Sequence, residues 1–291
     1  FHICIYYMTD ICASCKSTNI SKITKLNKDI LPKWLEKKNY VDEFIINTPT
    51  KVFKQHDYSM KFKLKIGKKF KQRHILYFAA KPDKNLFTIK DARKAYSNFS
   101  NSGVSTINNS GECTIYLNPP QPYKTIKKNE TNYKTFYRHM HFVLSNTQNT
   151  EWDIHNIYTK VLNCSIEFDD LMYNHIDKKQ VLLLNTLPCE YYAKSHISKS
   201  FNLPTKEIKK MSSTECKQWI KEVLKLNNHP LYKKLSEKKI EFYNLPIVVY
   251  CAHKDCDASE KALVELYKKQ FVNVVMYEEG MLGYIKQVKN L

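Results

Sequence analysis

The chain is expected to fold as two domains, an antiparallel β-sandwich followed by an α/β domain whose parallel sheet is flanked by helices. Three observations point there. Residues 60–168 alternate short apolar and polar runs, with turn signals between them and little helical periodicity. From residue 181 onward, short continuous apolar runs alternate with helical stretches, the pattern of a parallel sheet covered on both faces. At 291 residues, 43 % hydrophobic and 13 % aromatic, the chain also carries enough apolar material for two cores.

In chain order, residues 1–59 read as a basic, lysine-rich arm with one helix expected over Pro32–Asn39. Within it, Cys12 and Cys15 form a CxxC with no second pair at zinc-site spacing. An exposed pair of thiols is expected, with Cys4 a third ligand at most. The apolar opening, Phe1 to Tyr7, is too short for a signal peptide or a membrane span, and Met8 is a candidate start. The sandwich, residues 60–168, begins where Phe62, Leu64 and Ile66 alternate with Lys61, Lys63 and Lys65, predicting a strand with a solvated lysine face. Strands follow at His74–Ala80, Gly103–Ile107 and Cys113–Leu117, the last two flanking a hairpin turn at Asn108–Gly111. A helix fits Ile89–Asn98, and further strands fit Tyr137–Leu144 and Asn156–Cys164. Asp169–Lys178 is expected to be a linker, with His155 and His175 as surface or linker residues. The second domain, residues 179–291, should hold strands at Val181–Asn185 and Ile247–Tyr250. Its helices should lie at Thr214–Leu226, capped by Ser213 or Thr214, and at Leu231–Lys239.

Cys251 is the candidate nucleophile. It ends the apolar strand Ile247–Tyr250 and is followed by the loop Ala252, His253, Lys254, Asp255, Cys256 and Asp257, then by a helix starting near Ala258. Loop amides turned inward and the positive end of that helix would lower the thiol pKa. The competing reading is a buried cysteine that only packs.

Residues 179–289 resemble the rhodanese (sulfurtransferase) domain. Gln180–Asn185 looks like its first buried strand, and Glu190-Tyr191, His196-Ile197, Asn202 and Pro204 are similar to its signature. Val249-Tyr250-Cys251 resembles its active-site strand and nucleophile, and Phe271–Gly280 its last strand and glycine. The resemblance implies a sulfane sulfur carried as a persulfide on Cys251, cradled by the amides of residues 252–257, and passed from a small sulfur donor to a thiol or cyanide-like acceptor. It implies no cofactor for this domain. The chain departs from the family where Asn185-Thr186-Leu187 replaces Asp-x-Arg and where Cys251 to Cys256 replaces Cys-x-x-Gly-x-Arg, so two arginines and a glycine are missing. His253 and Lys254 can restore some positive charge, although a lysine cannot reproduce an arginine fork. Cys256 reads either as a resolving thiol or as a small residue packed at the helix start.

The β-rich domain has its own signal. On a strand, Tyr137, His139 and His141 would share a face, and two imidazoles at i and i+2 can hold one metal ion. Together with the segment Gly111–Tyr123, this pattern resembles the intradiol ring-cleavage dioxygenases and their β-sandwich relatives, whose non-haem iron is held by two tyrosines and two histidines. That resemblance implies one iron or other transition-metal ion bound by His139, His141 and Tyr123, with Tyr137 or Tyr96 as the fourth ligand.

The formal charge is +19, yet only 3 of the 47 basic residues are arginine (Arg73, Arg93, Arg138), and lysine is abundant throughout. This dispersed lysine is a coding-composition imprint, so nucleic acid is a less favoured partner, with Lys61 to Arg73 its best footprint. Nine cysteines in no regular framework indicate a reducing, intracellular location, cytoplasmic or virion-packaged. A membrane partner is not expected. The functional expectation is a rhodanese-type sulfurtransferase acting through Cys251. The alternatives are a catalytically inactive rhodanese-like interaction protein and a metal-binding protein using His139 and His141. A phosphatase or arsenate reductase would need an arginine where Cys256 stands.

Overall fold

The computed structural model describes residues 54, 57–83, 86–89, 91–97, 99–125, 134–153 and 156–290. Most of the N-terminal arm, with Cys12, Cys15 and the helix expected at Pro32–Asn39, lies outside the described residues, as does His155. The chain divides into two compact units, residues 1–83 with 89–162, and residues 84–88 with 163–291.

The first unit is built on antiparallel pairing. Its four-stranded sheet has the order β3-β2-β7-β8, from β2 (His74–Ala79), β3 (Ser102–Thr106), β7 (His139–Leu144) and β8 (Tyr158–Val161). Two ribbons accompany it, β1 (Met60–Lys65) with β4 (Glu112–Leu117), and β5 (Tyr123–Thr125) with β6 (Lys134–Phe136). A sandwich needs two sheets packed face to face. The described hydrogen bonds give one sheet and two ribbons, an antiparallel sheet region. The expected hairpin at Asn108–Gly111 is corrected: its flanking strands pair with different partners, β3 with β2 and β4 with β1, so the turn is a corner between the sheet and a ribbon. Asn108 Oδ1 accepts from the backbone amides of Ser110 and Glu112, holding that corner. Lys61, Lys63 and Lys65 are exposed on β1, while Leu64 is buried and Phe62 half-buried. Helix α1 (Ala92–Tyr96) is shorter than the span expected for it. Its Ala92, Ala95 and Tyr96 pack with Phe78 of β2, Tyr123 of β5 and Phe136 of β6 in one apolar cluster.

The second unit is α/β. Its sheet, ordered β10-β9-β11-β12, is parallel throughout and comprises β9 (Leu182–Asn185), β10 (Phe201–Asn202), β11 (Ile247–Tyr250) and β12 (Val274–Tyr277). Every residue of β9, β11 and β12 is buried, which is why these strands read as unbroken apolar runs. The expected linker is corrected. Residues 168–177 are helical, an α-turn α2 (Phe168–Leu171) running into a π-helix (Met172–Asp177). Phe168 and Leu171 anchor the turn, and His175 is buried rather than on the surface, its Nε2 2.8 Å from the Ser198 carbonyl. Helix α3 (Cys189–Lys194) precedes β10, and α4 (Thr205–Lys210), α5 (Ser213–Leu226) and α6 (Pro230–Ser236) fill the stretch before β11. Helix α5 starts on a capping box formed by Ser212 and Glu215, one residue earlier than the caps expected from the sequence. It buries Cys216, Ile220 and Leu224. Helices α7 (Ala258–Lys268) and α8 (Gly280–Val288) follow β11 and β12. Among the described residues no helix is long and apolar enough to cross a membrane.

Candidate functional site

Cys251 stands where strand β11 leaves the centre of the parallel sheet. Tyr250 fixes that end. Its carbonyl accepts from Thr186 N–H at 3.0 Å, and its hydroxyl accepts from Ile197 N–H at 2.9 Å and meets Ser200 Oγ at 2.8 Å. Across the loop, Thr205 Oγ1 donates to the Ala258 carbonyl at 2.9 Å.

Helix α8 holds the loop from the other side. The amides of Met281 and Leu282 donate to the carbonyls of Cys251 and Ala252, both at 2.9 Å. This contact requires a glycine at Gly280, whose φ is +60° and where a Cβ would lie 2.7 Å from the Cys251 carbonyl oxygen and from His253 N.

The sulfur itself is fully buried. Cys251 Sγ lies 3.1 Å from the Cys256 carbonyl, 3.7 Å from the His253 carbonyl and 3.4 Å from Ser259 Oγ in the first turn of α7. The Cys256 side chain and the Ser259 amide also meet it. Burial pushes the thiol pKa up to about 11, with the Cys256 thiol adding to the rise and Ser259 opposing it. The expected low-pKa thiolate is therefore corrected for this conformation. The loop turns carbonyls toward the sulfur, and these accept from a thiol but repel a thiolate. The Cys256 amide that could have faced inward instead donates to the His253 carbonyl at 3.0 Å. Local positive charge is also engaged, since Lys254 lies 3.7 Å from Glu279 and Lys261 lies 2.6 Å from Asp257. Ala252 and Cys256 are half-buried, and His253, Lys254, Asp255 and Asp257 are exposed around the loop rim. Ser259 was not singled out from sequence, whereas Gly280 was marked there as the glycine that follows the last strand.

In the first unit the His-x-His residues do share a face, with His139 Nε2 and His141 Nε2 3.1 Å apart. Tyr123 Oη lies 3.2 Å from His139 Nε2, and Tyr96 Oη lies 3.4 Å from that nitrogen and 3.2 Å from Tyr123 Oη. Tyr137 meets His139 through its backbone. The strand begins at His139, two residues later than the alternation suggested, and Tyr137 offers its backbone carbonyl to His139 Nδ1 at 2.5 Å. The second phenol beside the histidines is that of Tyr96, at the end of α1. His141 Nδ1 meets Thr159 Oγ1 at 2.9 Å, and its ring also bonds the Tyr158 backbone. Both imidazoles are held neutral by burial, His139 lowered to about 4 and His141 well below the ordinary value.

Among the described residues no three His, Cys, Asp or Glu side chains gather as a metal site. A metal here would need the phenols, and the donor set fits one. His139 Nδ1 faces the Tyr137 carbonyl and His141 Nδ1 the Thr159 hydroxyl, so both Nε2 atoms are turned toward each other, with the two phenols beside His139 Nε2. Four ligands about 2.1 Å from a tetrahedral centre stand roughly 3.4 Å apart. Four of the six pairs among Tyr96, Tyr123, His139 and His141 fall at 3.1 to 3.4 Å, three of them made by His139 Nε2.

No curated protein matches the chain. Among solved structures, the BH2092 protein of Bacillus halodurans is similar at 14 % identity and TM-score 0.31, with 43 % of this chain and 74 % of that one covered. The human single-domain sulfurtransferase TSTD1 is similar at 12 % identity and TM-score 0.29, covering 42 % and 96 %. The Saccharomyces cerevisiae single-domain sulfurtransferase RDL2 is similar at 11 % identity and TM-score 0.31, covering 45 % and 94 %. Residues 169–287 match the family described as Rhodanese-like domain, and this part of the chain is a rhodanese-like domain.

Proposed function

We propose that the rhodanese-like domain carries sulfane sulfur as a persulfide on Cys251. The observation that carries this reading is the placement of a cysteine thiol at the end of the central strand, against the hydroxyl and amide of Ser259 in the first turn of α7. In the reaction, the Cys251 thiolate attacks the outer sulfur of a donor such as thiosulfate. The donor's S–S bond breaks, sulfite leaves with the bonding pair, and the new persulfide anion is stabilised by Ser259. An acceptor thiolate or cyanide then takes the outer sulfur, returning Cys251 as thiolate. With its carbonyls facing the thiol, residues 252–257 must rearrange before the donor can reach the sulfur. Purified protein should release thiocyanate from thiosulfate and cyanide, and Cys251→Ser should lose that activity while keeping the fold. Equal turnover by wild type and Cys251→Ser would overturn the reading, and no turnover by either would leave the domain as an interaction module, a role that the two missing arginines would suit.

A second reading rests on a separate observation, the convergence of Tyr96, Tyr123, His139 and His141. These residues would hold one transition-metal ion in the first unit, with Tyr96 in the place expected for Tyr137. When bound, such an ion supplies a Lewis-acidic centre. The protein's own groups set its environment, with the Tyr137 and Tyr158 carbonyls orienting the two imidazoles. Elemental analysis of protein purified without chelator should find one metal ion per chain, and its absence would remove this second reading.

A further inference from the structure

Resting on that second reading, we infer that the tyrosine–histidine centre is closed and structural, a four-ligand site for a divalent transition-metal ion with no position left for a substrate. Three features of the site carry this. First, all four ligand side chains are enclosed: Tyr96, Tyr123 and His141 are each 2 % exposed and His139 is 4 % exposed. Second, the rings around them are aromatic and apolar. Phe136 stacks on Tyr123 with centroids 5.5 Å apart, Phe99 stacks on Tyr96 at 5.6 Å, and Phe78 packs on His141 at 5.5 Å. A catalytic metal keeps an open position for water or substrate, whereas a structural one is filled by four protein ligands. Third, two tyrosinates and two neutral imidazoles sum to a charge of about −2, which a dication cancels. A neutral set is the least costly charge state to bury among phenylalanines.

The ligands come from separate pieces of chain. Tyr96 ends the short helix α1, Tyr123 begins β5, and the histidines lie on β7. A metal joining them would pin α1 and the β5–β6 ribbon to the start of β7. That gives a physical role to a centre whose four ligand side chains are buried, and it separates this site from ring-cleavage chemistry, in which a catechol must bind the metal.

The experiment uses the full chain stripped of metal and titrated with Co²⁺ as the probe. One equivalent should bind with the intense visible bands of four-coordinate cobalt, raise the thermal midpoint of the first unit, and be displaced by Zn²⁺. Azide and catechol, each in large excess, should leave those bands unchanged. Tyr96→Phe should weaken Co²⁺ binding by about tenfold or more, while Tyr137→Phe, which keeps the backbone carbonyl, should bind as wild type does. Failure to bind a stoichiometric cobalt ion would mean that the four rings form only a hydrogen-bonded network, and the metal reading itself would fall. Stoichiometric binding with bands that shift on adding azide or catechol would keep the metal and overturn the closed, structural assignment. Equal loss in Tyr96→Phe and Tyr137→Phe would overturn the ligand set.

Discussion

The Cys251 thiol and the tyrosine–histidine cluster are both buried, yet they arrive at burial by opposite routes. Cys251 is assembled locally: one strand end, six loop residues and one helical turn place the sulfur and its hydrogen-bond partners between residues 251 and 259. The cluster is assembled at long range, from residues 96, 123, 139 and 141, with donor contacts spanning up to 43 residues. A local site can rearrange by moving one loop, which is what a nucleophile needs to alternate between a protected and a reactive state. A site tied to a helix, a ribbon and a strand cannot open without moving all three, which suits a structural role.

The largest effect that would break this comparison is expected at Gly280. Gly280→Val would place a Cβ against the backbone of Cys251, Ala252 and His253 at a positive φ, and backbone has no easy way to yield. The expected cost is about 2–4 kcal/mol of stability, read by chemical denaturation, together with loss of sulfur transfer. Wild-type stability and activity in Gly280→Val would mean that the loop is not braced by α8.

A second, smaller effect sharpens the account of how the thiol is protected. Because burial raises the Cys251 pKa to about 11, its alkylation rate should keep climbing roughly tenfold per pH unit toward that value. A rate that levels off near neutrality would show that the loop spends most of its time in another conformation with an activated thiolate. The sign for stability follows from the same shift. The folded state holds the Cys251 proton more tightly than the unfolded chain does, so this group's contribution is complete below about pH 9 and is lost as the pH rises toward 11.

The smallest effects come from single polar partners. Ser259→Ala removes the hydroxyl 3.4 Å from the sulfur, a hydrogen bond of about 1 kcal/mol. It should slow persulfide formation severalfold without altering the fold, measured as the single-turnover rate with excess donor. On the acid side, His229 caps α6 by accepting from Leu231 N–H at 3.2 Å, and burial lowers its pKa to about 4. Its contribution to the second unit should be complete above about pH 6.5 and lost as the pH falls toward 4. Urea unfolding of wild type and His229→Gln across that range should show the wild type losing its advantage.

These two sites also show how much could be read in advance. The position of Cys251 was legible, since an apolar run ending in cysteine before a helix is a local pattern. Its protonation was not, because that depends on whether the loop points amides or carbonyls at the sulfur, and the sequence does not record peptide orientation. His139 and His141 were legible from the period of two along a strand. The second tyrosine was open between Tyr96 and Tyr137, because Tyr96 comes from a helix 43 residues away and strand β7 begins only at His139. Residues 169–178 looked like a linker because their polar residues break a 3.6-residue period. The π-helix resets that period and buries Asn174 and His175.

The central claim is that Cys251 holds transferable sulfur, and peptide mass spectrometry tests it most directly. After incubation with thiosulfate and removal of excess donor, the wild-type peptide containing Cys251 should gain the mass of one sulfur atom and lose it again on adding cyanide, with a yield that rises with pH. Cys251→Ser should gain nothing. A wild-type peptide that takes up no sulfur on Cys251 at any pH up to about 11, in protein that remains folded, would contradict the account and leave the rhodanese-like domain as a scaffold.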